Sequence, residues 1–333
     1  MKKWKLVVLG ITAGLSLCAC SEKIEKNEVE TSAENLIVVG FSQLGAESDW
    51  RVANTDSIRN TFVEENGYEL MFDDARQKLE SQIASIRNYI LQGVDYILVA
   101  PVIEVGWDEV LQEAKDAEIP VIVVDRMIKV EDESLYTAWV GSDCRKEGDM
   151  ATAWLEEELE KQGKASEEIS IVHVMGTIGS SAQLGRTEAL EAAVEEHENW
   201  KITAQVEGEF IQAQTYEQMK ELLKNDIEID VLYCENDNSA YGAMQALDEK
   251  DITYGVDGDV IIISFDATRA GLTACLNGEI NVNVECNPLQ GPLAEQIIQQ
   301  IEAGETPQKH QYVPEVYFTQ DTLSEEFIQN REY

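Results

Sequence analysis

From Ile119 to Val124 the chain reads Ile-Pro-Val-Ile-Val-Val without a polar residue, then stops at Asp125-Arg126. Alternating apolar and polar residues would mark a strand with one wet face, whereas an unbroken β-branched run marks a strand covered on both faces. Such strands belong to parallel sheets flanked by helices, and those sheets bind ligands beyond the carboxyl ends of their strands. A carboxylate only accepts hydrogen bonds and a guanidinium only donates them. Side by side at a strand end they suit a hydroxyl, which needs both, so Asp125 and Arg126 point to sugar chemistry.

The same pattern repeats along the chain. Strands at Leu36–Ser42, Tyr68–Phe72, Val94–Ala100 and Ile119–Val124 alternate with helices over Trp50–Asn66, Leu79–Leu91 and Val105–Ala117. A second series runs from the strand Tyr136–Val140 through helices and strands to Val260–Phe265, then a helix Arg269–Leu276, a strand Ile280–Glu285, a helix Leu289–Glu302 and a strand near Tyr312–Phe318. Alternation of this kind means βαβ units and parallel sheets, here in two similar α/β halves. The second half holds too many elements for one domain, so the chain is expected to recross near Val140–Asp143, Glu285–Pro288 and Gln311–Pro314. Three crossings would make a hinge with a cleft between the strand ends. The expected partition is one lobe of residues 36–140 with 286–311 and another of 141–285 with 312–333.

The formal net charge of -39, from 64 acidic against 25 basic residues, argues against nucleic acid, whose phosphates are held by an excess of Lys and Arg. Lys2, Lys3 and Lys5 precede an apolar stretch from Leu6 to Leu17, the form of a signal peptide over residues 1–19. Leu17-Cys18-Ala19-Cys20 resembles a bacterial lipobox, which implies acylation of Cys20 and a lipid anchor in the membrane. Residues 20–35 are polar and aperiodic, as in a flexible tether. Cys144, Cys234, Cys275 and Cys286 show no zinc-ligand spacing; buried free thiols are expected, with a Cys275–Cys286 bridge as the alternative.

The first strand runs into Gly40-Phe-Ser-Gln-Leu-Gly-Ala-Glu47-Ser48-Asp49-Trp50-Arg51. Glu47, Ser48, Asp49 and Arg51 offer hydroxyl partners, and Trp50 offers an apolar face for the C–H side of a sugar ring. The structural alternative is that Ser48 or Asp49 caps the next helix and Trp50 packs beside it. Together with Ala100-Pro101-Val102, Gly106-Trp107 and Glu118 to Arg126, this segment resembles the ABC-transporter substrate-binding proteins for galactofuranose, within the ribose/galactose-type periplasmic binding family. The resemblance covers essentially everything from Leu36 onward and implies a type I periplasmic-binding-protein fold, two doubly wound lobes joined by a three-strand hinge. It implies sugar-contacting roles for Glu47, Ser48, Asp49, Trp50, Arg51, Asp125 and Arg126 on one lobe. On the other it implies Arg186 (in Gly179-Ser-Ser-Ala-Gln-Leu-Gly-Arg186), the ring of Phe210, Asn236, Asp266 and, at a crossing, Glu285. Asp237 is assigned to helix capping and Asn236 to binding, while Trp107 is expected to pack a helix start. The chain departs from the family pattern at Cys144, where Asn is common, and before Arg186.

His173, His197 and His310, the three histidines, sit in no recognisable nucleophile, dyad or metal setting, and His173 lies within an apolar strand. Gly176-Thr-Ile-Gly179-Ser-Ser lacks the lysine of a phosphate loop. The reading is therefore a binder, not an enzyme and without a cofactor: an extracytoplasmic, lipid-anchored monomer that captures a monosaccharide for an ABC permease. A sensor of the same fold presenting its closed form to a membrane receptor or histidine kinase is the alternative, and a glycoside-processing enzyme, using a carboxylate pair, the minor one.

Overall fold

The computed structural model describes residues 36–333. The expected signal peptide, the lipidated Cys20 and the tether lie outside the described residues. Among the described residues no helix is long and apolar enough to cross a membrane.

The first series builds β1 (Ile37–Gln43), α1 (Asp49–Thr61), β2 (Tyr68–Asp74), α2 (Leu79–Gln92), β3 (Tyr96–Val99), α3 (Asp108–Asp116), β4 (Val121–Val124) and β5 (Ala138–Gly141). The second builds α4 (Cys144–Lys161), β6 (Ile169–Met175), α5 (Ser181–Glu196), β7 (Trp200–Glu207), α6 (Gln212–Leu222), β8 (Val231–Cys234), α7 (Asp237–Asp248), β9 (Ile261–Asp266), α8 (Arg269–Leu276) and β10 (Val282–Glu285). The chain closes with α9 (Gly291–Glu302), β11 (His310–Tyr312), β12 (Tyr317–Phe318) and α10 (Glu325–Gln329). The strands form two sheets, ordered β2-β1-β3-β4-β5-β11 and β7-β6-β8-β9-β10-β12. Every pairing is parallel except that of β10 with β12. Both sheets reverse direction of growth at their first strand, so each has a topological switch point that opens a crevice at its strand ends.

The unbroken apolar runs are explained by the two faces. In β4, Val121 and Val123 pack into the cluster with Trp107, Val110 and Leu111, while Ile122 and Val124 pack into the one with Ile58, Ile297 and Ile298. In β8, Val231 and Tyr233 face one core and Leu232 and Cys234 the other. Helices cover both faces of each sheet, so polar alternation has no place in the central strands.

Three segments carry the chain between the sheets: from β5 into α4, from β10 into α9, and from β11 to β12. The single strand expected near Tyr312–Phe318 is instead two short ones, β11 in the first sheet and β12 in the second, because the third crossing falls between them at Pro314. The helix expected from Trp50 to Asn66 ends at Thr61 and is followed by a separate 3-10 turn over Glu64–Asn66.

The capping assignment at β8–α7 is corrected. Asn236 caps α7, its Oδ1 accepting from Ser239 N at 2.9 Å. Asp237, the first residue of the helix, points back into the sheet, where its fully buried carboxylate accepts from Ser264 Oγ (2.7 Å), Thr268 N and Oγ1 (2.9 and 2.6 Å) and Asn283 Nδ2 (2.6 Å). It joins β9, the start of α8 and β10 through one side chain. Burial pushes its carboxyl above the usual range, and the four donors pull it back only in part. Removing it orphans those donors, each a cost of about 1–3 kcal/mol when buried. Asp237→Ala is therefore expected to lower unfolding free energy by about 3 kcal/mol or more, read from urea denaturation; a loss under about 1 kcal/mol would contradict the role of this hub.

Candidate functional site

The first sheet presents its chemistry from two strand ends. After β1 the chain turns into α1, where Ser48 caps the helix by accepting from Arg51 N at 3.2 Å. This cap fixes the first turn, and with it Trp50 and Arg51. After β4, Asp125 adopts φ 64°, a left-handed conformation that costs a non-glycine residue of order 1 kcal/mol or more. Neighbours hold it there: Asp125 N donates to Val140 O and Trp139 Nε1 donates to Asp125 O, both at 2.9 Å. Gly141 lies so close beneath this turn that a Cβ there would sit 2.4 Å from Asp125 O.

The side chains so placed form a buried charge network. Arg51 lies 3.0 Å from Glu47 and 2.7 Å from Asp125, and Arg126 lies 3.4 Å from Glu47 while donating to Val102 O at 2.8 Å. Burial opposes ionisation of Glu47, but Arg51 and then Arg126 hold its carboxyl below the usual range. Burial, then the Arg51 charge, pull Arg126 down to about 10.

The second sheet supplies the facing groups. Arg186, on α5, is held by Glu147 Oε2 at 2.8 Å from Nε and 2.7 Å from Nη2, and its Nη1 donates to Glu235 O. Phe210, after β7, has φ 64°, and Asn236 Nδ2 donates to its carbonyl at 3.3 Å. The ring lies so near Gly176 that a Cβ there would meet it at 1.9 Å. Asp266, at the end of β9, has φ 104°, and its carboxyl is pushed well above the usual range by burial and then by Asp237. Thus three of the pocket's strand ends carry strained non-glycine backbone, the kind of cost that persists where the surrounding structure enforces a geometry.

These groups converge on one cavity, lined by Glu47, Ser48, Trp50, Arg51, Asp125 and Arg126 from the first half and by Arg186, Phe210, Asn236 and Asp266 from the second. Several buried polar atoms within it lack a partner: Arg51 Nη1 and Arg126 Nε as donors, Glu47 Oε2, Asp125 Oδ2 and Asp266 Oδ2 as acceptors. Asp125 Oδ2 is 2.7 Å from Arg51 Nη2 in an ion pair, and a carboxylate oxygen so paired still has a lone pair with which to accept from a ligand. Buried polar groups in folded proteins are almost always paired, so unpaired donors and acceptors mixed in one cavity describe a site complementary to hydroxyls. Trp50 and Phe210 add apolar ring faces, with Arg51 at 4.7 Å and Arg126 at 5.3 Å from the respective ring centroids.

Two residues expected at the site stand outside it. Asp49 exchanges hydrogen bonds with Asn238 across the cleft, through its N–H at 3.1 Å and its carboxylate at 3.2 Å, so it bridges the halves at the rim. Glu285 is 2.9 Å from Arg331 and accepts from Tyr333 at 3.1 Å, which ties it to the chain's last residues. Conversely Ala182 and Cys286 line the cavity unforeseen. Cys286 O accepts from Trp50 Nε1 at 2.5 Å, and nothing in the spacing of the cysteines signals this. All four described cysteines are free thiols, with Cys275 in a core cluster apart from Cys286. Trp107 is fully buried at the start of α3 as expected, and His173 is satisfied in the core by Glu235 at 2.8 Å. Among the described residues, Glu147, Cys286 and Glu315 are the acid and thiol side chains close enough together to share an ion, and Glu147 already pairs with Arg186.

Known proteins agree with this architecture. Residues 39–305 match the family model described as a periplasmic binding protein domain. The chain is 34% identical to the galactofuranose-binding protein YtfQ of Escherichia coli strain K12, over 97% of both chains. It is 37% identical, with a TM-score of 0.81 over 86% of this chain and 92% of the other, to a Mycobacterium smegmatis protein solved in complex with β-D-fucofuranose. It is 36% identical, with a TM-score of 0.82 over 89% and 96%, to the periplasmic binding component of the arabinose ABC transporter of Shewanella sp. ANA-3, solved with α- and β-L-arabinofuranose. With its paired six-stranded sheets, three crossings and interposed cavity, the chain belongs to the periplasmic binding protein family.

Proposed function

We propose that this protein captures a monosaccharide in furanose form, galactofuranose first, between its two halves and delivers it to an ABC permease. The observation that carries the reading is the cavity's set of unpaired donors and acceptors beside two aromatic rings. A sugar hydroxyl both donates and accepts, so one ring can satisfy Arg51, Arg126, Asp125 and Asp266 together. The relatives named above are described with galactofuranose, fucofuranose and arabinofuranose, which have the five-membered ring in common.

Capture needs no chemistry. Opening separates the halves, sugar bridges Asp125 and Arg126 to Arg186, Asn236 and Asp266, and closure restores the contacts between the halves. Those contacts include the Asp49–Asn238 pair, Met127 N to Ser181 Oγ at 2.8 Å and Glu104 N to Gly179 O at 3.2 Å. Closure removes water, so each polar contact counts for more than it would in the open cleft. Acylation at Cys20 would hold the protein as a monomer on the outer face of the membrane, within reach of the permease.

Arg126→Ala and Asp125→Ala are each expected to abolish measurable affinity for furanose sugars in isothermal titration while the cooperative thermal transition survives. Wild-type affinity in either variant would remove that pair from the site. Trp50→Ala is expected to weaken binding by about 1–3 kcal/mol, as loss of a buried aromatic anchor does, and unchanged affinity would show that the ring only packs.

A further inference from the structure

The three segments that cross between the sheets meet at one carboxyl group. Glu315, in the third, accepts through Oε1 from Ser142 Oγ of the first at 2.5 Å and from Asn287 N of the second at 2.9 Å. Oxygens of Glu315 and Glu147 and the Sγ of Cys286 all lie within 4.8 Å of one another. Glu147 is fully buried on α4; its Oε2 takes both contacts from Arg186, and its Oε1 has no partner. Two ionised carboxylates only accept, so they would leave that oxygen unpaired and repel each other. One proton between them removes both costs.

We propose that Glu147 and Glu315 hold one shared proton at neutral pH, and that this carboxyl pair couples the three crossings to the orientation of Arg186 in the cleft. Burial, and then the Glu147 carboxylate, push Glu315 up to about 9. The other groups facing the pair fit a proton better than a metal ion. The Arg186 cation occupies Glu147 at 2.7 Å, which disfavours a second cation. The thiols of Cys144, on α4, and Cys286, on the second crossing, are driven well above their ordinary range by burial and then by Glu147, so Cys286 offers a neutral thiol rather than the thiolate a metal needs. Through Glu147 the pair acts as a positioning element for Arg186, which lines the cavity, and touches no sugar itself.

The sign of the linkage follows. A folded-state value raised from the ordinary 4.5 to about 9 means that the folded protein keeps a proton the unfolded chain has released. This contribution to stability is complete below the unfolded value and is lost as pH rises through the folded one.

The test is the melting temperature of the full chain from about pH 5 to about pH 9.5, for wild type and Glu315→Gln. Gln keeps an oxygen for Ser142 and Asn287 and offers Glu147 a permanent donor. The variant is expected to match wild type at the acid end and to be progressively the more stable toward the alkaline end; parallel profiles overturn the proposal. Carboxyl ¹³C spectra of the wild type, which do not depend on the variant being well folded, should show a Glu signal titrating above about pH 7, and its absence also overturns it. A zinc chloride-induced rise in wild-type melting temperature that Glu315→Gln loses would replace the proton with a cation. The affinity arm rests on the sugar-binding reading: binding of mutarotated L-arabinose should weaken in wild type as pH passes about 9 and stay level in Glu315→Gln. Affinity level in both, with the other arms positive, breaks the link to Arg186; no binding of any furanose at any pH refutes the sugar reading and leaves the carboxyl pair standing.

Discussion

The cleft depends on charge held out of water at the ends of the first sheet. The side chains of Glu47, Arg51, Asp125 and Arg126 are each at most 8% exposed, and an isolated buried charge at such a place would be strongly destabilising. They persist because each carboxylate faces a guanidinium, with desolvation and Coulomb attraction nearly offsetting one another. The arrangement leaves Arg51 Nη1, Arg126 Nε, Glu47 Oε2 and Asp125 Oδ2 without hydrogen-bond partners. On that remainder the proposed sugar site rests, and caps, glycines and strained turns surround it.

The second half meets this surface by a different route. Its cation, Arg186, is tied to Glu147 and to the carbonyl of Glu235 and lies 4.7 Å from the Phe265 ring centroid. Its aromatic ring is set by the absence of a side chain at Gly176, and its acid, Asp266, by a strained strand end beside the Asp237 hub. The proposed opening would turn at the crossings, where Ser142, Asn287 and Glu315 meet. The crossings touch the cavity at two places, through the Glu147–Arg186 ion pair and through Cys286, whose carbonyl accepts from Trp50 Nε1.

Much of the fold was legible because the central strands are buried on both faces and so read as apolar runs; α8 lies where the pattern places it. Helix limits were less legible, since they turn on single hydrogen bonds such as Ser48 to Arg51 and Asn236 to Ser239. The division of labour between Asn236 and Asp237 was misread because both types cap helices, and only the donors on β9 and β10 reveal which one is drawn inward. Asp125-Arg126 stood out in the sequence because a charged pair ends an apolar run, whereas Arg186, Phe210 and Asp266 came through family resemblance. Glu147 and Glu315 carried no signal among 64 acidic residues, for their importance lies in a proximity across the hinge that local sequence does not encode.

The most direct measurement is a crystal structure of the protein grown with mutarotated D-galactose, in which a minor share of the sugar is the furanose. One furanose ring is expected between Trp50 and Phe210, its hydroxyls within hydrogen-bonding distance of Arg51 Nη1, Arg126 Nε, Asp125 Oδ2 and Asp266 Oδ2. Sugar bound elsewhere, or bound here with those atoms still unpaired, would contradict the claim that this buried charge network is a hydroxyl trap.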